Sequence, residues 1–215
     1  MKVVVVAHGE LDPRDAEQLA DADLVIAADG GALALDRLGR RPDRLVGDLD
    51  SIDGPLLDRL VADGVAVERH PPDKDASDTE LGLEAALAAG ATSVVLIGAT
   101  GGERLDHELA NLLLLADPDL AGRDVRAVRG HTSVRALPGG EELALGRPGD
   151  VVTLLPVGGD AIGVSSTGLR WELEGSTLAL GRSRGLSNEV VASGASVRLE
   201  RGTLLVVETT GGEDS

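Results

Sequence analysis

The sequence predicts an α/β N-terminal domain with a mainly parallel sheet, followed by an all-β C-terminal sandwich. Two observations carry that prediction. Over the first ~130 residues, short apolar runs alternate with helical patterns, the mark of strand–helix–strand units in a parallel sheet. Beyond that point the runs shorten and glycine recurs, from Gly139-Gly140 through Gly158-Gly159 to Gly202, as expected of many short antiparallel strands. The length of 215 residues and a hydrophobic content of 42% suffice for real cores. The expected domains are residues 1–130 and 131–215.

The elements follow in order. Val3–Ala7, Leu24–Ala28, Leu45–Val46, Val65–Glu68, Val94–Ile97 and Val125–Val128 are the expected strands of the first domain. Between them lie expected helices at Asp15–Ala20, Ala32–Leu38, Pro55–Ala62, Asp78–Ala89 and Asp106–Ala116. Ser77-x-x-Glu80 forms a capping-box signature at one helix start, and Gly90 is a stop signal. The second domain offers Val134–Leu137, Val151–Leu155, Ala161–Ser165, Trp171–Leu173, Thr177–Leu180, Glu189–Ala192, Ser196–Leu199 and Thr203–Glu208 as strands. Gly211–Ser215 is expected to fray.

Composition excludes several classes of function. The net charge is −17 and no basic stripe occurs, so nucleic acid is not an expected partner. Cysteine is absent, which removes disulfide and thiol chemistry and suits a reducing compartment. No apolar run reaches membrane-spanning length, and Met1–Ala7 is too short for a signal-peptide core. A cytoplasmic protein with no membrane partner is expected. Phe and Tyr are missing and Trp171 is the lone aromatic, so aliphatic side chains must pack the cores.

Gly47-Asp48-Leu49-Asp50-Ser51-Ile52 follows the third strand. Two carboxylates one residue apart are costly together unless a cation or a proton intervenes. A hard divalent cation that carries substrate phosphates suits them. Polar clusters follow other strands too: Asp29-Gly30-Gly31, the stretch from His70 to Asp78 with Lys74 and Asp75, and Gly98-Ala99-Thr100-Gly101-Gly102-Glu103-Arg104-Leu105-Asp106-His107. Ligands of open α/β sheets bind outside the carboxyl ends of the strands, where all these clusters fall. Each cluster has a purely structural alternative: a tight turn at Asp29, helix-start carboxylates at Asp48 and Asp50, caps at Ser77, Asp78 and Asp106, and an orienting or capping His107. Lys74 is one of only two lysines, with Lys2. Neither a P-loop nor a Rossmann glycine fingerprint occurs, so a triphosphate would be held by carboxylate-bound metal, Lys74, Arg104 and glycine amides.

Taken together, these motifs resemble the thiamine pyrophosphokinase family. The resemblance rests on Ala28-Asp29-Gly30-Gly31-Ala32, Pro42-Asp43, Gly47-Asp48-Leu49-Asp50-Ser51, Lys74-Asp75-x-x-Asp78, the Gly98–His107 run with Ala110-Asn111, Gly168-Leu169-x-Trp171-x-Leu173 and Gly185-x-Ser187-Asn188-Glu189. Three departures occur: Leu49 stands where the family commonly has Phe, Ser77 stands for Thr, and Glu103 is an extra residue before Arg104. The resemblance implies transfer of the pyrophosphoryl group of ATP to the hydroxyl of thiamine, giving thiamine diphosphate and AMP. It implies Mg²⁺ on Asp48, Asp50 and Asp78, with Lys74 and Arg104 neutralising phosphate oxygens. Asp106 or Asp75 would orient the hydroxyl. The nucleotide would lie near Asp29, Gly30, Gly31, Gly101, Gly102 and His107. Trp171 would stack on thiamine, with Ser187 and Asn188 bonding its edge; filling the sandwich core is the alternative for Trp171. A homodimer with active sites shared between subunits is also implied. A metal-dependent nucleotide-sugar transferase using Asp48 and Asp50, and a non-catalytic thiamine or nucleotide sensor, are the competing readings.

Overall fold

The computed structural model describes residues 1–211. Its contacts divide the chain into two compact units, residues 1–114 with 122–130, and residues 115–121 with 131 onward.

The first unit is a six-stranded parallel sheet in the order β4-β3-β2-β1-β5-β6. The strands are β1 (Lys2–Val6), β2 (Leu24–Ala28), β3 (Arg44–Gly47), β4 (Ala66–Arg69), β5 (Ser93–Ile97) and β6 (Asp124–Arg129). Val3, Val4, Val5 and Val6 on the central strand are wholly buried, as are Val94 to Ile97 beside it. Strands covered on both faces need apolar side chains at every position, hence their unbroken runs. Helices α1 (Gly31–Arg37), α2 (Gly54–Ala62), α3 (Asp78–Ala88) and α4 (Leu105–Leu114) alternate with the strands. Helix α3 packs across β1, β2 and β3. Ser77 caps it by accepting the Glu80 amide at 3.2 Å, and Gly90 follows with φ of +86°. Helix α4 buries only Asn111 and leaves Leu105, Leu109 and Leu113 exposed.

The expected helix at Asp15–Ala20 is instead a 3-10 helix over Pro13–Leu19. Asp12 caps it, and the buried Asp15 carboxylate turns back to accept the amides of Asp12 and Gly130, at 2.9 and 2.8 Å. Burial outweighs these bonds and pushes the Asp15 carboxyl above its ordinary range.

The second unit is antiparallel throughout. Its strands are β7 (Thr132–Pro138), β8 (Glu142–Ala144), β9 (Val151–Thr167), β10 (Ser176–Leu178), β11 (Asn188–Glu189), β12 (Ser196–Arg198) and β13 (Arg201–Thr209). They run β7-β13-β9-β12-β8, with β10 and β11 also paired to β9. Their core is wholly aliphatic and sandwich-like. The fold class is therefore the expected one, with three differences in detail. Val151–Leu155 and Ala161–Ser165 are one strand of 17 residues. Gly158-Gly159 does not end it, because a register shift against β13, between Arg201 and Thr203, absorbs the irregularity. Trp171–Leu173 forms no strand; an isolated bridge between Leu169 and Val190 fixes the chain just before it. β8 lies in a stretch whose sequence gave no strand signal. Of the expected frayed tail, Gly211 donates its amide to Asp150 at 3.0 Å, and residues 212–215 lie outside the described residues. Among the described residues, no helix is long and apolar enough to cross a membrane.

Candidate active site

Parallel pairing places the carboxyl ends of β2, β3 and β4 side by side, with Ala28 level with Val46 and Gly47 level with Arg69. Asp29 and Asp48 leave these ends directly, and Asp78 opens α3. One carboxylate oxygen from each of Asp29, Asp48 and Asp78 lies within 4.8 Å of the others. Asp29 is buried in a left-handed conformation (φ +43°), with its amide donating to the Val46 carbonyl at 2.8 Å. Its Oδ1 is buried with no hydrogen-bond partner. Gly47 makes room for the cluster: at its φ of +141°, a Cβ would lie 2.8 Å from Asp78 Oδ1 and 3.1 Å from Asp29 Cβ. A converging set of oxygens with one left unsatisfied fits a hard divalent cation such as Mg²⁺.

Lys74 enters the same cluster. Its Nζ donates to Asp78 Oδ1 at 2.6 Å and to Asp48 Oδ2 at 3.2 Å, and its side chain is only 12% exposed. Burial pulls the ammonium down, but the two carboxylates outweigh it and hold Lys74 above its ordinary value. Burial likewise pushes Asp48 up, while the Asp50 amide and Lys74 bring it below the usual carboxylate range.

Asp50 stands outside the cluster. Leu49 is left-handed (φ +66°) and buried in the core, so the alternation that would align the flanking side chains is broken. The Asp50 amide donates to Asp48 Oδ1 at 3.3 Å, and its exposed carboxylate accepts the Ser51 hydroxyl at 3.2 Å. Asp29 takes the third place instead. The sequence carried one clue: Asp29 and Asp48 each begin the turn after an apolar strand. Their meeting depends on strand neighbours, which local sequence does not specify.

The glycine-rich loop after β5 is tied from several sides. Asn111 Nδ2 donates to the Ala99 carbonyl at 2.9 Å, and the Glu10 amide donates to the Gly101 carbonyl at 2.7 Å. The Arg129 guanidinium lies against Gly101, 2.6 Å from where a Cβ would stand, and pairs with Glu10 at 2.9 Å. Glu10 and Arg129 carried no motif, so sequence reasoning passed them over. Gly102 and His107 are exposed. Arg104 and Asp106 form a bidentate pair, at 2.9 and 2.6 Å, with side chains 67% and 64% exposed. Through this hydrogen bond, Arg104 holds the Asp106 carboxyl far below its ordinary range, which makes it a poor proton acceptor. Gly30 and Gly31 have packing reasons for being glycine: Cβ atoms there would strike the His8 ring at 2.4 Å and the Val6 carbonyl at 1.9 Å.

In the second unit Trp171 is 61% exposed rather than core. The Arg170 guanidinium lies 5.8 Å from its ring centroid and pairs with Glu189 at 2.7 Å. Asn188 is buried, and its amide is taken up by backbone. Oδ1 accepts the amides of Trp171 and Glu189 at 3.1 and 2.9 Å, and Nδ2 donates to the Trp171 carbonyl at 2.7 Å. Asn188 thus clamps Trp171 through both ends of its amide. Ser187 is left-handed (φ +55°), its amide donates to Thr153 Oγ1 at 2.9 Å, and its residue is exposed.

Comparison with known proteins finds one family in both halves of the chain. The family model described as "Thiamin pyrophosphokinase, catalytic domain" matches residues 16–126, and that described as "Thiamin pyrophosphokinase, vitamin B1 binding domain" matches residues 142–204. A curated thiamine pyrophosphokinase of Bacillus subtilis is 27% identical over 188 residues, covering 87% of each chain. The crystal structure of thiamine pyrophosphokinase from Bacillus subtilis superposes with a TM-score of 0.86 at 25% identity, over 98% of this chain and 99% of that one. The corresponding structure from Geobacillus thermodenitrificans gives 0.81 at 26% identity, over 99% of each.

Proposed function

The chain belongs to the thiamin pyrophosphokinase family, and we propose that it moves the pyrophosphoryl group of ATP to thiamine through the residues described above. The products are thiamine diphosphate and AMP. Family membership supports neither a nucleotide-sugar transferase nor a non-catalytic sensor. In this reaction the thiamine hydroxyl oxygen bonds to the β-phosphorus, the bond to the α,β-bridging oxygen breaks, and AMP leaves with that oxygen. Phosphoryl-type transfer asks a protein mainly for in-line positioning and charge neutralisation.

The observation that carries the site assignment is the cluster of Asp29, Asp48 and Asp78 with Lys74 at one sheet edge. These three carboxylates would hold Mg²⁺, which supplies charge neutralisation on the triphosphate. Asp50, exposed on the same loop, would reach the cation through water. Lys74 and Arg104 would bind non-bridging oxygens, Arg104 as a fork. Amides of Gly101 and Gly102 would add donors, and Gly30, Gly31 and His107 would border the nucleotide. Asp106 serves Arg104 as its anchor, which leaves Asp75 to orient the acceptor hydroxyl. Trp171 would stack on thiamine, whose cationic ring suits an aromatic face; Ser187 would bond its edge and Asn188 would act through Trp171. We further propose a homodimer whose two active sites are shared between subunits. The exposed stripe of Leu105, Leu109 and Leu113 supports an interface between copies. The cytoplasm, where ATP is abundant, is the proposed setting.

Incubation with ATP, Mg²⁺ and thiamine is expected to release AMP in step with thiamine diphosphate. Release of ADP would indicate monophosphoryl transfer and reject the assignment.

A further inference from the structure

The ammonium of Lys74 already occupies the heart of the carboxylate cluster. It bonds Asp78 at 2.6 Å and Asp48 at 3.2 Å. We propose that Lys74 is the resident counter-ion of this cluster: free cation must displace it at a cost, and nucleotide phosphate gives the displaced ammonium a new partner. The enzyme would then capture the metal–nucleotide complex and bind the free cation poorly. The inference rests on the metal site proposed above.

Three features carry it. First, the geometry is exclusive. A Mg²⁺ ion needs oxygens at about 2.1 Å in near-octahedral array. An ammonium within hydrogen-bond distance of two of the same carboxylates competes for those lone pairs and repels the cation. Second, the carboxylates stand at the ends of regular elements while the lysine stands on a loop. Asp48 continues directly from β3 and Asp78 is the first residue of α3, whereas residues 70–77 carry neither helix nor strand. A four-carbon stem with rotatable donors is suited to changing partners. Third, leaving is costly without a new partner. Lys74 is 12% exposed, and an ammonium displaced within such a site needs another anion. The non-bridging oxygens of a triphosphate are anions of that kind. By linkage, nucleotide must strengthen cation binding by the factor that cation strengthens nucleotide binding.

The two-lysine sequence provides the measurement. Trace acetylation of the full chain with an N-hydroxysuccinimidyl acetate, read by peptide mass spectrometry, compares Lys74 with Lys2, which pairs with Asp21 at the far end of the sheet. In metal-free protein Lys74 should label more slowly than Lys2. Saturating Mn²⁺ alone should raise the ratio at least about fivefold by breaking the ion pairs. Adding α,β-methylene-ATP should return it to the protected level. An unchanged ratio under saturating Mn²⁺ overturns the proposal. Independently, Lys74→Gln should bind Mn²⁺ without nucleotide about tenfold more tightly, the scale of removing one close like charge; equal or weaker binding overturns it. Asp48→Asn separates the two levels of inference. If Mn²⁺ binding survives that substitution, the metal site itself is wrong. If it is lost while both Lys74 measurements fail, the site stands and only the lysine's role falls.

Discussion

Replacing Asn188 by alanine tests how the proposed acceptor platform is built. The substitution removes three hydrogen bonds, two accepted from the amides of Trp171 and Glu189 and one donated to the Trp171 carbonyl. At about 1 kcal/mol each, the second unit should lose about 3 kcal/mol. With a urea slope of about 2–3 kcal/mol/M, the midpoint should fall by about 1–1.5 M. Far-UV circular dichroism is the suitable probe, because Trp171 is 61% exposed before unfolding begins. Trp171 emission then supplies a second readout, free of other aromatics. Its anisotropy should drop in Asn188→Ala, and the KM for thiamine should rise more than kcat falls. Asn188→Asp keeps both acceptor bonds but sets a carboxylate against the Trp171 carbonyl, so its loss should be intermediate. A midpoint shift below about 0.3 M with unchanged anisotropy would refute the clamp, since three working bonds cannot contribute so little.

Two further outcomes are expected. Arg104→Ala should change stability by less than about 0.5 kcal/mol, because its pair with Asp106 is exposed. The same variant should lower kcat/KM for ATP by about ten- to a hundredfold, the scale of one charge-assisted contact, and an unaltered value would remove Arg104 from the phosphate site. Asp15 has a carboxyl raised above its ordinary 3.8 by burial, so the folded chain holds that proton longer than the unfolded one. Its contribution to stability therefore falls as pH rises from 3.8 through the raised value, then levels off. Stability curves of wild type and Asp15→Asn should change their separation in that acidic window; a constant separation would exclude the assignment.

The parallel sheet was legible because its buried strands are unbroken apolar runs and its helices carry their own start and stop signals at Ser77 and Gly90. The family was legible from motifs that keep their order from Asp29 to Glu189. Legibility failed where a local pattern was overruled by what lay across space. Asp48-Leu49-Asp50 looks like a matched pair, yet left-handed Leu49 separates its side chains and Asp29 arrives from the neighbouring strand. The role of Asn188 in holding Trp171 was not legible either, because the segment it clamps lies 17 residues earlier. The glycines at 158 and 159 look like a strand end, yet β13 holds the chain on both sides of the irregularity. Asp29, Leu49 and Ser187 are the non-glycine residues with positive φ among those described. All lie in the motifs, where such strain persists because surrounding structure imposes it.

The long strand β9 has a consequence for how the chain is made. Its partners β10, β11, β12 and β13 all follow it in sequence. During synthesis from the N-terminus, 17 residues of strand therefore emerge with both edges unpaired, and they wait for the final forty or so residues before those edges are covered. In the first unit β1 also keeps one edge open until β5 appears, but its other edge is covered by β2 soon after it emerges. A chain truncated after residue 167 would present the folded first unit trailing a sticky ribbon. The second unit is then expected to be the slow, chaperone-dependent half of folding, as late non-local pairing generally is.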